Sequence, residues 1–225
     1  MVDPWDYSEY NEFNRFTNID GIEAKIVEHL VNSTTKHADL FWKILKYNDL
    51  NALSQPSVTK AERWKLVNND NGEPTKKRVF FSPFVDDAWE DQCSSVYIFV
   101  ENLYPYDHLR ATIGVTVETV VHCRISAIVG DGDPILNPQA NPNDSNDEGS
   151  IVVPFKNRAT VLLKCILAEL NGLYLDGIGY LQINARNSLP GKVEMPLWNN
   201  KSFYGHSTTF VMAMSGTSDD ADIGF

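Results

Sequence analysis

The stretch Ala111-Thr-Ile-Gly-Val-Thr-Val-Glu-Thr-Val-Val-His122 decides the fold class. Ile113, Val115, Val117 and Val121 alternate with Thr112, Thr116, Glu118 and His122. A period of two sends these sets to opposite faces of a strand. Val96-Tyr-Ile-Phe-Val-Glu101 makes a β segment just upstream, and Tyr104-Pro-Tyr-Asp-His108 separates the two, so a hairpin or ribbon is expected. Arg78-Val-Phe-Phe-Ser82 is a shorter strand stopped by Pro83. Two further strands are expected downstream, at Ile178-Gly-Tyr-Leu-Gln-Ile183 and from Phe203 to Met214.

Before these strands the period is that of a helix. Ile22, Ile26, Val27, Leu30 and Val31 form one apolar stripe behind Asp20, the expected N-cap. Leu40, Phe41, Ile44 and Leu45 share one face of a second helix, interrupted by Ser54-Gln-Pro56. Thr59-Lys-Ala-Glu62 is a capping-box pattern opening a third helix through Trp64 and Leu66. Asn68-Asn-Asp-Asn-Gly-Glu-Pro74 is a loop signal. Asn157 is placed to cap a helix over Arg158 to Leu170, closed by Asn171-Gly172. Val161, Leu162, Leu163, Ile166, Leu167 and Leu170 make that helix apolar on nearly all sides, which predicts burial.

The expected fold is therefore α+β, a mixed or antiparallel sheet with helices packed on one face. A single domain spans 20–214, preceded by an aromatic, acidic arm (1–19) and followed by an acidic tail (215–225). Within the domain, Asp131 to Ser150 is rich in Asp, Asn, Pro, Gly and Ser, and a long mobile loop is expected there.

Composition narrows the function. With 43% hydrophobic and 22% charged residues, the chain builds a sizeable core without a disulfide or metal staple. A net charge of −11 argues against a general nucleic-acid binder, which needs Lys and Arg to displace counterions. The two basic stretches, Lys60, Arg63 and Lys65, then Lys76, Lys77 and Arg78, fit a solvated helix face and a charged hairpin flank. No apolar run approaches the ~20 residues that span a bilayer. Met-Val-Asp-Pro-Trp5 lacks the pattern of a signal peptide, so a protein made in a cytosol is expected. Cys93, Cys123 and Cys165 form no CxxC pair, and Cys165 belongs to the core helix.

Catalytic patterns are missing from the sequence. Gly130-Asp-Gly132 and Gly177-Ile-Gly179 lack the spacing and the Lys of a phosphate loop. The five histidines are scattered without metal-ligand spacing. His122 and Cys123 are expected as neighbours on a strand, pointing to opposite faces, which spoils a nucleophile–base pair. Acidic residues gather at Asp86, Asp87, Glu90 and Asp91, and again at Asp131, Asp133, Asp144, Asp147 and Glu148. The second group does not match an EF-hand loop, and a solvated loop is the simpler account. No catalytic, cofactor or metal residue is expected, and no cofactor. The residues that stand out are interface candidates instead: Trp5, Tyr7, Tyr10, Phe13 and Phe16, aromatic anchors of the kind enriched in interface cores.

The order helices, three strands, long loop, buried helix, two strands resembles the tail terminator proteins of long-tailed phages over about residues 20–214. The carriers are Val96–Glu101, Ala111–Val121, Asn157–Leu170 and Phe203–Met214. The stretches RVFFSPF (Arg78 to Phe84), NRATVLLKCILAELNG (Asn157 to Gly172) and GIGYLQIN (Gly177 to Asn184) are also similar to neck or virion proteins of Gram-positive-type myophages. The helical insert at 37–67 and the loop at 131–150 depart from the smallest terminators. The resemblance implies a non-enzymatic virion protein, assembled in the host cytoplasm as a closed ring, commonly a hexamer. Such a ring contacts the tail tube and the head-connector proteins, and DNA passes through it without specific binding or any membrane. Acidic surfaces repel phosphate over about a Debye length, ~8 Å at physiological salt. The expected lumen donors are Asp144, Asp147 and Glu148 in the loop, and Asp219 and Asp220 in the tail. The alternatives are another neck, connector or baseplate component, or a non-viral adaptor that binds partners through its N-terminal arm.

Overall fold

The computed structural model describes residues 21–69, 73, 76–82, 92–107, 110–129, 155–176, 179–183, 195–197 and 202–215. Its helices are α1 (Ile22–Asn32), α2 (Lys36–Lys46), α3 (Lys60–Leu66) and α4 (Arg158–Leu170). The first strands are β1 (Val79–Phe80), β2 (Ser94–Asp107), β3 (Arg110–His122), β4 (Ala127–Val129) and β5 (Phe155–Asn157). They are followed by β6 (Tyr174–Leu175), β7 (Gly179–Tyr180), β8 (Met195–Leu197) and β9 (Phe203–Ser215). The chain is α+β. Its five-stranded sheet has the order β1-β2-β3-β9-β8 and is mixed, because β1 runs parallel to β2 while the other pairs are antiparallel.

The hairpin expected from the alternating stretch is the centre of that sheet, but it is longer than its sequence pattern. Tyr104, Pro105 and Asp107, expected in the turn, pair with Thr112, Ala111 and Arg110. Proline has no N–H for a ladder, and the register shifts between Pro105 and Asp107 to accommodate it. Beyond β3, the ladder with β9 runs unbroken from Arg110–Ser215 to His122–Phe203. Gly205 permits this contact, since a Cβ there would lie 1.7 Å from the Thr119 carbonyl oxygen.

One face of the sheet carries the main core. Val96 and Ile98, Ile113, Val115, Val117 and Val121, with Phe210 and Met212, pack with side chains of all four helices. Trp42 of α2 is fully buried there and donates its indole N–H to the Leu30 carbonyl at 2.8 Å. The other face was expected to be polar and differs. Thr116 is buried on it, and Phe80, Tyr97, Val120 and Phe203 form a second apolar cluster, with Phe80 stacked on Tyr97 at 5.2 Å. The second face of the central strands is therefore partly apolar, with Glu118 and Thr209 half-buried beside the cluster.

Local signals explain the helix ends. The Thr59–Glu62 capping box forms as its pattern predicts. Asn157 accepts from the Thr160 N–H at 3.2 Å, and Gly172 takes φ 85° just past the Asn171 cap. α1 is corrected: its N-cap is Gly21, with no side-chain cap, and Asp20 lies outside the described residues. Glu23 in the first turn instead accepts from the Val100 N–H at 3.0 Å, tying α1 to β2. α2 stops at Lys46, well before Ser54-Gln-Pro56, and a 3-10 turn at Ala52–Ser54 fills the gap.

Two sequence expectations need revision in the second half, and three short strands there were not expected. α4 is not apolar all round, since Lys164 and Ala168 are exposed and Val161 and Leu167 half-buried. The strand expected over Ile178–Ile183 is reduced to β7 plus a single bridge, Gln182–Val211. The antiparallel pair β4–β5 and the edge strand β8 carry no alternation long enough to announce themselves. The expected arm, the long loop 131–150, and the tail beyond Ser215 lie outside the described residues.

Candidate interface surfaces

The strongest polar features in the interior are structural clamps. Arg158, the first residue of α4, is fully buried and donates to the carbonyls of Ile125 (2.9 Å), Ile44 (3.0 Å), Tyr47 (2.7 Å) and Asp49 (2.8 Å). Burial pushes its pKa down to about 10, so it stays charged at neutral pH. Two of its acceptors belong to the end of α2, where carbonyls lack helical partners and the helix dipole favours a cation.

Arg63 has the same role at the junction of α1 and α3. It was expected on a solvated helix face, yet it is buried. Its guanidinium donates to the carbonyls of Val58 (3.0 Å), Val31 (3.0 Å) and Ser33 (2.7 Å). Lys77 is also buried, while exposed Lys76 pairs with Glu73 at 2.6 Å. The two basic stretches therefore do not form one cationic face.

Among the described residues, Glu169 carries the buried carboxyl group of the helical layer. It accepts from the hydroxyls of Ser33, at 2.8 Å, and Thr35, and it lies 3.5 Å from His29 Nε2. The carboxylate sits between serine and histidine, so Ser33 donates to Glu169 and not to the imidazole. That order joins α4 to the α1–α2 junction and does not activate a nucleophile. His122 and Cys123 need a corrected account. The strand ends at His122, and exposed Cys123 opens a 3-10 turn whose Arg124 N–H donates to His122 Nδ1 at 3.2 Å.

A cleft of about 450 Å³ opens beside the line where α2 packs on α4. Leu40 and Val161, both half-buried, form its apolar surface together with Cys165. Burial pushes the Cys165 thiol up to about 12, which leaves it an apolar filler. Exposed His37, Lys156 and Lys164 rim the cleft. Asn157 and Thr160 complete the lining at the end nearest β9, where Tyr204 donates to Asn157 Oδ1 at 2.7 Å. Thr160 Oγ1 also lies 3.5 Å from His206 Nε2. Among the described residues no acidic side chain lines the cleft. This cationic spot on an acidic protein was missed in the sequence. Its signal there is the spacing Thr160, Lys164, which puts two polar residues on one side of α4 beside Val161, with Lys156 just ahead of the helix in β5.

Trp5, Tyr7, Tyr10, Phe13 and Phe16 lie outside the described residues, as do Asp144, Asp147, Glu148, Asp219 and Asp220. Among the described residues, no group of three or more His, Cys, Asp or Glu side chains is placed to hold a metal ion. No described helix is long and apolar enough to cross a membrane. Comparison with protein-family models, with curated proteins and with solved structures finds no match.

Proposed function

We propose that the chain is a structural subunit of a phage neck, a tail terminator that forms a ring between the tail tube and the head connector. The observation that supports this is the layering and order of the main elements. Three helices, a central β2–β3 hairpin, the buried helix α4 and the long closing strand β9 follow one another, with the helices on one sheet face. The net charge of −11 suits a conduit that must not retain DNA. The buried charges support a non-catalytic role, because Arg158, Arg63 and Glu169 are all spent on joining helices. In this account the aromatic residues Trp5 to Phe16 contact neighbouring rings, and at least one of the two acidic segments faces the bore.

Addition of the purified chain to polymerising tail-tube protein tests the proposal. A terminator arrests tube growth at a fixed end and is found there by labelling. Unaltered tube growth, with the chain remaining a monomer, would point to the adaptor class instead.

A further inference from the structure

We propose that the cleft beside α2 and α4 binds a small amphipathic anion, an acidic head group on a short apolar body. Its volume, about 450 Å³, falls within the roughly 300–1,000 Å³ of small-molecule sites. One side of α4 supplies most of the lining. Asn157, Thr160, Val161, Lys164 and Cys165 follow the spacing of a single helical stripe, about 12 Å long. His37 and Leu40, one turn apart on α2, form the opposite wall.

The polar groups left for a ligand select its charge. Lys164 is exposed and has no hydrogen bond or ion pair among the described residues. Lys156 also lines the cleft but already has a partner, which leaves the anion to Lys164. The Asn157 side-chain oxygen accepts from the Tyr204 hydroxyl at 2.7 Å and from the Thr160 N–H at 3.2 Å. That amide therefore keeps only its NH2 donors for a ligand. No described acidic side chain lines the cleft, so a cationic ligand would meet no opposite charge there. Leu40, Val161 and buried Cys165 supply the apolar surface for the rest of the molecule.

The site lies within one chain and does not depend on the proposed ring. Isothermal titration of the full chain with octanoate, a short fatty carboxylate, tests it. Saturable binding is expected, weaker by at least about tenfold in Lys164→Glu, which removes a charge-assisted contact. Val161→Asp, which sets a carboxylate on the apolar surface, should weaken it as much. Octylammonium, of matched length and opposite charge, should also bind at least about tenfold more weakly than octanoate. Circular dichroism identifies the folded variants. No saturable octanoate binding, equal binding of octylammonium, or unchanged affinity in either folded variant overturns the site.

Discussion

The Arg158 guanidinium donates to the carbonyl oxygen of Tyr47 at 2.7 Å, so the first residue of α4 closes the last turn of α2. Three more carbonyls share that side chain. Arg158→Met would strand buried acceptors, and is expected to cost at least about 3 kcal/mol. Arg158→Lys should recover only a fraction of this, because one ammonium cannot span the four acceptors of a planar fork. Urea denaturation measures both, and a wild-type midpoint for Arg158→Met would refute the clamp.

Gly205→Ala is expected to destabilise by about 1–3 kcal/mol, because its Cβ would meet backbone and not a movable side chain. Hydrogen exchange on β3 and β9 should rise around Thr119. Unchanged protection there would show that the strands separate freely.

α4 offers a graded packing test. Leu162→Ala and Leu163→Ala remove fully buried side chains and should cost about 2–5 kcal/mol each. Leu167→Ala truncates a half-buried one and should cost visibly less. Equal losses in melting experiments would contradict the orientation of the helix.

Glu118 predicts a pH dependence. Burial, then the neighbouring Glu101, holds its carboxyl above the ordinary carboxylate value. The folded protein thus binds that proton more tightly than the unfolded chain. The resulting stability is fully present below the ordinary carboxylate pKa and is lost as pH rises through the raised folded value. Glu118→Gln should raise the melting temperature at neutral pH and flatten its change with pH. An unaltered profile would show that Glu118 titrates as a solvated group.

The elements of this fold that are legible in sequence are those with a repeated local pattern. Ile113, Val115 and Val117 announce β3, and Thr59 with Glu62 announces α3, because each signal lies within a few residues of chain. Arg158 is not legible. Beside Asn157 it resembles a solvated charge, and only the distant carbonyls of Ile44, Tyr47 and Asp49 make its burial tolerable. The second apolar face is hidden for a related reason, since Phe80, Tyr97, Val120 and Phe203 come from four strands. The α2–α4 cleft likewise needs two helices that the sequence separates by more than a hundred residues.

Charge carries the functional account. Replacing Asp144, Asp147 and Glu148 together with Lys should leave stability near wild type, because solvated charges of the loop that the sequence predicts over 131–150 contribute little. The variant should acquire DNA binding that fades as salt rises. Binding no stronger than wild type at low salt would remove these residues from the bore.

The central claim is the ring itself, and native mass spectrometry of the purified full chain, paired with electron-microscope images of the same sample, tests it most directly. The account predicts a closed oligomer, six copies by the phage resemblance, around an open axial channel. A single 25.4 kDa species at every concentration, with no annular particles, would contradict it.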